Sequence, residues 1–143
     1  ESILNKPGAL SPDEYEMIKL HPEMGDSIGA ELGLSDEQRA IIRYHHERWD
    51  GRGYPSGLAQ QEVPVLARIV AVADAFDSMT SKRADRGAME EEVAIQELLD
   101  NAGTQFDPEV VKVFVAMRSD RRGDQEHVDG KTVRRQIECF RCQ

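Results

Sequence analysis

Apolar residues recur at helical spacing along most of the chain, and nowhere do they alternate over the length of a strand. Met24, Ile28 and Leu32 stand four residues apart, which predicts a helix with one apolar face that Gly33 can close. Ile41 and Ile42 mark a second segment, with His45 and His46 near its C-terminal end. From Pro64 the run through Met79 is apolar on nearly every side, the pattern of a helix buried all round. Val93, Ile95, Leu98 and Leu99 form a further periodic segment ending near Gly103, and Val110, Val111, Phe114, Val115 and Met117 form the last. The fold class expected is all-α.

Start signals agree with this division. Ser11-Pro12-Asp13-Glu14 supplies a capping serine, a proline in the first turn and a glutamate three residues on, so a helix should run to about Leu20. Pro22 disfavours helical geometry in the residue before it, which places His21 at a junction between helices. Ser35-Asp36-Glu37-Gln38 repeats the capping pattern, and Asp107-Pro108-Glu109 opens the last helix. Residues 48–63 hold Gly51, Gly53, Pro55 and Gly57 and read as a turn-rich loop, while Thr80 to Ala88 is a polar connection. Beyond Arg118 the chain is charged and poorly periodic, which suggests a loose tail with at most a short helix near its end. The expected organisation is one domain over residues 1–118 and a polar tail over 119–143.

Composition narrows the function classes. At 143 residues the chain suits one core, and no apolar run approaches the ~20 residues of a membrane helix, so no direct membrane contact is expected. A net charge of −9 argues against binding a nucleic acid polymer, whose phosphates are held mainly by Lys and Arg; an anionic ligand would have to be held locally. Cys139 and Cys142 form a single C-x-x-C pair in the tail, read as ordinary thiols and consistent with a reducing cytoplasm.

Candidate chemistry gathers in the first half. His21, His45 and His46 lie beside caps and helix ends, and imidazole nitrogens with carboxylate oxygens make good sites for iron, manganese, nickel or zinc. Adjacent helical histidines point about 100° apart, so the pair need not share a target. Asp74 falls in the middle of the apolar run, where a buried carboxylate needs either a cation or backbone donors. Arg68, six residues earlier, is not on the same helical face. Trp49, Asp50, Arg52 and Tyr54 are displayed between glycines, suited either to a ligand or to packing on neighbouring helices. Arg83 and Arg86 follow the apolar run and would flank a site at its end, or serve as surface charges.

Five stretches together are far more specific than these parts: Ser-Ile-Leu-Asn-Lys-Pro-Gly at 2–8, Leu-His-Pro-Glu at 20–23, His-His-Glu-Arg-Trp-Asp-Gly-Arg-Gly-Tyr-Pro-Ser-Gly-Leu at 45–58, the Pro-Val-Leu-Ala-Arg run with its Val-Ala-Asp step at 64–81, and Gly-Thr-Gln-Phe-Asp-Pro at 103–108. They closely resemble the HD-GYP family over residues 1–118. The resemblance implies a helical HD-type bundle that hydrolyses cyclic di-GMP to linear pGpG, GMP or both, with two or three divalent metal ions, most often iron and otherwise manganese or nickel. Carried over by motif, His21, His45, His46 and Asp74 match metal ligands. Gly53, Tyr54 and Pro55 match the ligand-contacting loop, and Arg83 and Arg86 match positions that approach phosphates. The resemblance also implies GGDEF-domain proteins as partners through that loop.

Two departures accompany it. The family's His-Asp dyad and the Gly-Lys after it precede the Ser-Ile-Leu-Asn-Lys-Pro-Gly stretch, so the chain is expected to be an N-terminally truncated part of the domain, inactive alone. Where the family has Arg-Pro-Tyr-Arg, this chain has Arg83-Ala84-Asp85-Arg86, which sets a carboxylate between the two cations. A degenerate module that senses a cyclic dinucleotide or docks a GGDEF-type cyclase is the alternative to a phosphodiesterase.

Overall fold

The computed structural model describes residues 11–82 and 87–126, with side chains described as far as Asp120. Among these residues there are six α-helices: α1 (Pro12–Ile18), α2 (His21–Glu31), α3 (Asp36–Tyr44), α4 (Val65–Thr80), α5 (Glu91–Asp100) and α6 (Pro108–Glu126). A 3-10 turn, Gln60–Glu62, lies in the long loop between α3 and α4. No strand occurs among the described residues, only an isolated bridge between Ala102 and Phe106. The expected all-α class holds. The stretch at 2–8, Arg83, Arg86, Cys139 and Cys142 lie outside the described residues.

Both capping boxes form. Ser11 and Ser35 each accept from the backbone N–H three residues on, while Glu14 and Gln38 accept from the backbone N–H of the serines. Helices α4, α5 and α6 enclose the main core of Val72, Leu98, Phe106 and Val111, with Phe76 and Phe114 meeting edge to face at 5.1 Å. The last helix continues past Arg118 to Glu126, so the expected loose tail does not begin at 119. Arg118 is itself held in the bundle, donating to Glu91 of α5 and lying over the Phe76 ring.

Two expectations about buried faces are overturned. Met24, Ile28 and Leu32 face outward, 62%, 56% and 74% exposed. The buried side of α2 is instead Pro22, Asp26 and Gly29. Periodicity registers apolarity but not bulk, and α2 packs on α3 through its small residues: a methyl group added at Gly25 would stand 2.7 Å from Ile42. Asp26 then ties the pair, accepting from Arg39 at 2.7 Å and from Arg43 at 3.0 Å. Likewise α4 is not buried all round, since only Ala67 and Val72 are fully enclosed and Val65 and Ile69 are about half exposed. Asp74 is exposed too, so burial does not explain its presence.

Arg68 finds its partner across the fold. Its guanidinium donates to Asp107 and to the Val63 carbonyl oxygen. Asp107, 5% exposed, also accepts from the backbone N–H of Glu109 and so caps α6. Breaking such a buried pair from one side strands the other charge. Arg68→Ala is expected to lower unfolding free energy by about 3 kcal/mol in urea titrations. At Asp26 the hydrogen bond from Arg43, then that from Arg39, holds the carboxyl below its ordinary value of 3.8 against the opposing effect of burial. The folded state therefore binds fewer protons, and this stabilisation is complete above the ordinary carboxylate range and lost as pH falls below it through the lowered folded value. Asp26→Asn should flatten that acid limb in a pH series of unfolding midpoints.

A candidate metal centre and its loop

α3 ends at Tyr44, and the two histidines after it lie in a turn rather than on the helix: His45 is the C-cap and His46 follows. The 100° divergence of adjacent helical side chains therefore does not apply, and the two rings sit with centroids 4.0 Å apart. His21, the first residue of α2, completes the group, its ring centroid 4.8 Å from that of His46. One nitrogen from each of the three falls within 4.8 Å of the others.

The hydrogen bonds around these rings decide which nitrogen is free. Nδ1 of His21 lies 2.7 Å from the Ile18 carbonyl oxygen, and Nδ1 of His45 lies 2.7 Å from that of Ile42. A carbonyl can only accept, so each Nδ1 carries a proton and, in the neutral ring, the lone pair is on Nε2. Nε2 of His46 stands 3.1 Å from Nε2 of His21. Two nitrogens each bound at ~2.1 Å and at right angles around one ion would stand ~3 Å apart, so this spacing fits a shared cation. Burial, then the neighbouring His45 and His21, pulls the His46 pKa down to about 4 against the opposing charge of Asp74, which leaves a neutral ring available as a ligand at neutral pH. The residues present thus fit a divalent metal.

Asp74 stands outside the tight histidine set but lines the same cavity of about 350 Å³, together with His45, His46 and Ser78. Ala71, Asp74, Ala75 and Ser78 recur at helical spacing on α4, and the small side chains among them leave the cavity open above the carboxylate.

The loop folds back onto this centre. Tyr54 stacks on His46 with centroids 4.9 Å apart and planes 26° apart, and its backbone N–H donates to the His46 carbonyl oxygen. Burial pushes its phenol up to about 12, so it remains a neutral hydroxyl. Gly53 lies flat against the chain just after the histidines: a Cβ there would meet Arg48 N at 2.4 Å, Glu47 Cα at 2.5 Å and the His46 carbonyl oxygen at 2.6 Å. Only glycine fits where two backbones approach so closely. The Tyr54–Pro55 peptide bond is cis.

Trp49 and Asp50, singled out from the sequence, hold this arrangement together with Glu47, Arg48 and Gln105, which were not. The N–H groups of Trp49 and Asp50 donate to the Gln105 and Thr104 carbonyl oxygens, and the Arg48 guanidinium reaches the Gln105 side chain. Arg48 also grips Asp50 through two nitrogens, and that bond chiefly holds the Asp50 carboxyl down at about 2. The Gly-Thr-Gln-Phe-Asp-Pro stretch is therefore the anvil on which the loop rests, a role no local pattern announces. Glu47 is 5% exposed, and its position directly after the histidine pair was its only signal in the sequence. Trp49 packs near Arg68, 5.8 Å from guanidinium to ring.

A helical bundle that gathers three imidazoles where helices end defines a class of metal-site domains. The HD domain model matches residues 1–110, and the chain belongs to that family. A cyclic di-GMP phosphodiesterase of Thermotoga maritima is 39% identical over 131 residues, which cover 84% of this chain and 33% of that protein. A cyclic di-GMP phosphodiesterase response regulator of Xanthomonas campestris pv. campestris is 39% identical over 121 residues, 83% of this chain and 32% of the other. A solved cyclic GMP-AMP specific phosphodiesterase of Vibrio cholerae superposes with a TM-score of 0.67 at 24% identity, over 85% of this chain and 28% of that one, a likeness of fold. The chain spans about a third of the length of the curated relatives it matches. No helix among the described residues is long and apolar enough to cross a membrane.

Removing His21 by substitution with Ala should weaken Mn²⁺ or Co²⁺ binding by more than the ~10–100-fold typical of losing an outer-shell partner, read by titration calorimetry. Gly53→Ala should keep the helical circular dichroism signal yet lift the loop, seen as loss of the contact between the Tyr54 and His46 rings in nuclear Overhauser spectra.

Proposed function

We propose that this chain is the C-terminal part of an HD-GYP domain, residues 1–118, whose whole protein hydrolyses cyclic di-GMP to linear pGpG, GMP or both. The observation that carries the reading is the cluster of three imidazole nitrogens with Tyr54 stacked against it, in a chain whose relatives are named for this activity. His21, His45 and His46 would hold divalent ions together with Asp74, two or three ions in all, with iron first and manganese or nickel as alternatives. Ions held there would supply a water made nucleophilic at neutral pH and would offset charge on the phosphate oxygens. They would also let a chain of net charge −9 receive an anionic ligand.

The chain's own groups bind and orient. The His46 ring, held neutral, presents a lone pair without competing for a proton, and the carbonyl oxygens of Ile18 and Ile42 accept from Nδ1 of His21 and His45 and so aim their Nε2 atoms at the ion. Gly53, Tyr54 and Pro55 set a neutral phenol and a ring edge beside the metal ligands, suited to a nucleotide. Arg83 and Arg86 are proposed to approach its phosphates. The Tyr54 loop is the proposed contact for GGDEF-domain partners, and a cytoplasmic setting follows from a cyclic dinucleotide substrate. The sensing-module reading rests on Asp85, which places a negative charge between the two proposed phosphate-binding arginines.

Three imidazoles and one carboxylate are too few donors for two or three ions. The 143-residue chain is therefore expected to bind Mn²⁺ or Fe²⁺ without turning over cyclic di-GMP, whereas the longer protein, purified without oxygen, hydrolyses it. Chromatographic assay of both against cyclic di-GMP and cyclic GMP-AMP tests this. Robust turnover by the chain alone would refute the partial-site reading, and none by the longer protein would favour the sensor.

A further inference from the structure

Glu47 is a buried carboxylate within the site region, yet it is not one of the clustered metal donors. Its Oε1 accepts from the backbone N–H of Ser56 at 2.7 Å, and its Oε2 accepts from that of Leu58 at 3.1 Å. Both oxygens are thus committed to the loop segment just after Tyr54 and Pro55. On its other side Glu47 follows His46 directly, and its own N–H is tied to the Tyr44 carbonyl oxygen at the end of α3. A carboxylate accepting two backbone N–H bonds out of water makes charge-assisted bonds, stronger and more directional than neutral ones. Beside these bonds, Tyr54 N–H donates to the His46 carbonyl oxygen at 3.3 Å, the Tyr54 and His46 rings stack, Gly51 N–H donates to the Arg48 carbonyl oxygen, and Gly53 lies in close contact with residues 46–48.

We infer that Glu47 is a positioning residue that fixes the Tyr54 loop in register with the His45–His46 turn, so that the ligand-facing ring and the metal ligands move as one body. The histidine pair and the loop are adjacent in sequence, but a turn of this length has many closed conformations. Glu47 selects the one in which the loop returns over His46. It lines the same cavity as His45, His46 and Asp74, but both its carboxylate oxygens are taken by backbone donors of the loop. Its consequence for ligand binding rests on the phosphodiesterase reading; its consequence for loop position does not.

The test uses the 143-residue chain with Glu47→Ala and Glu47→Gln. Glutamine keeps one acceptor oxygen and turns an amide N–H₂ toward the second donor, so it should hold one of the two bonds. In Glu47→Ala, hydrogen exchange at the Ser56 and Leu58 amides is expected to rise about tenfold or more relative to α4 and α5 amides. The nuclear Overhauser contact between the Tyr54 and His46 rings should be lost, while Mn²⁺ affinity stays within about threefold of the parent chain. Glu47→Gln should fall between, and it decides the matter if the alanine variant does not fold. Unchanged protection at Ser56 and Leu58 in the glutamine variant overturns the inference. So does a loss of Mn²⁺ affinity as large as that of His46→Ala, since Glu47 would then act on the metal pair itself. In the longer protein, Glu47→Ala should raise KM for cyclic di-GMP about tenfold with a smaller change in kcat; an equal fall in kcat with KM unchanged counts against it. Failure of the unsubstituted longer protein to bind or cleave cyclic di-GMP would remove the phosphodiesterase reading and leave the loop measurements standing.

Discussion

The site depends on one close approach: the backbone at Gly53 lies against the backbone of residues 46–48, nearer than any side chain would permit. That contact makes the chain reverse within a few residues of the histidine pair. It brings Tyr54 over His46 and turns the next N–H groups toward Glu47. Trp49 and Asp50 are left to bond with the segment before α6. A centre built this way is anchored in two places at once. The histidines are set by the ends of α2 and α3, and the loop is set by the strap between α5 and α6. The contact is backbone on backbone, so it has little freedom to relax and transmits displacement rather than absorbing it.

Charge is distributed to the same end. Although the chain carries −9 overall, Asp26, Asp50 and Asp107 are each gripped by arginines, and these pairs join α2 to α3, brace the loop, and join α4 to α6. Those three carboxylates are thereby paired, whereas Asp74 stands exposed and lines the cavity. Beside it the three imidazoles are poised as donors of lone pairs, two of them with their tautomer set by a backbone carbonyl that marks the end of a helix. Helix termination and ligand chemistry are the same event here, because the carbonyls left unpaired by a helix end are those that accept from Nδ1.

Much of the architecture was legible because it is local. Capping serines, the proline after His21 and the apolar periodicities marked the helices, since caps and turns are decided by neighbours in sequence. The outward turn of Met24, Ile28 and Leu32 was not legible, because what faces a partner helix depends on how near that partner comes, and α3 comes near enough to demand glycine. The exposure of Asp74 escaped for the same reason: an apolar run states what a helix could bury, not which flank is covered. The continuation of α6 beyond Arg118 is likewise supported by a contact distant in sequence, Arg118 with Glu91 and Phe76.

What the sequence by itself determined was the kind of protein: an all-helical chain whose histidine, Gly-Tyr-Pro and Val-Ala-Asp stretches carry a family resemblance, because residue identity at short spacing survives without knowledge of packing. Only the tertiary structure decided that His45 and His46 converge with His21, that Arg68 belongs to Asp107, and that Glu47 and Gln105 hold the loop. These pairings join residues between 9 and 57 positions apart. A hydrogen bond reads only distance and direction in space, and those are settled once helices have chosen their neighbours.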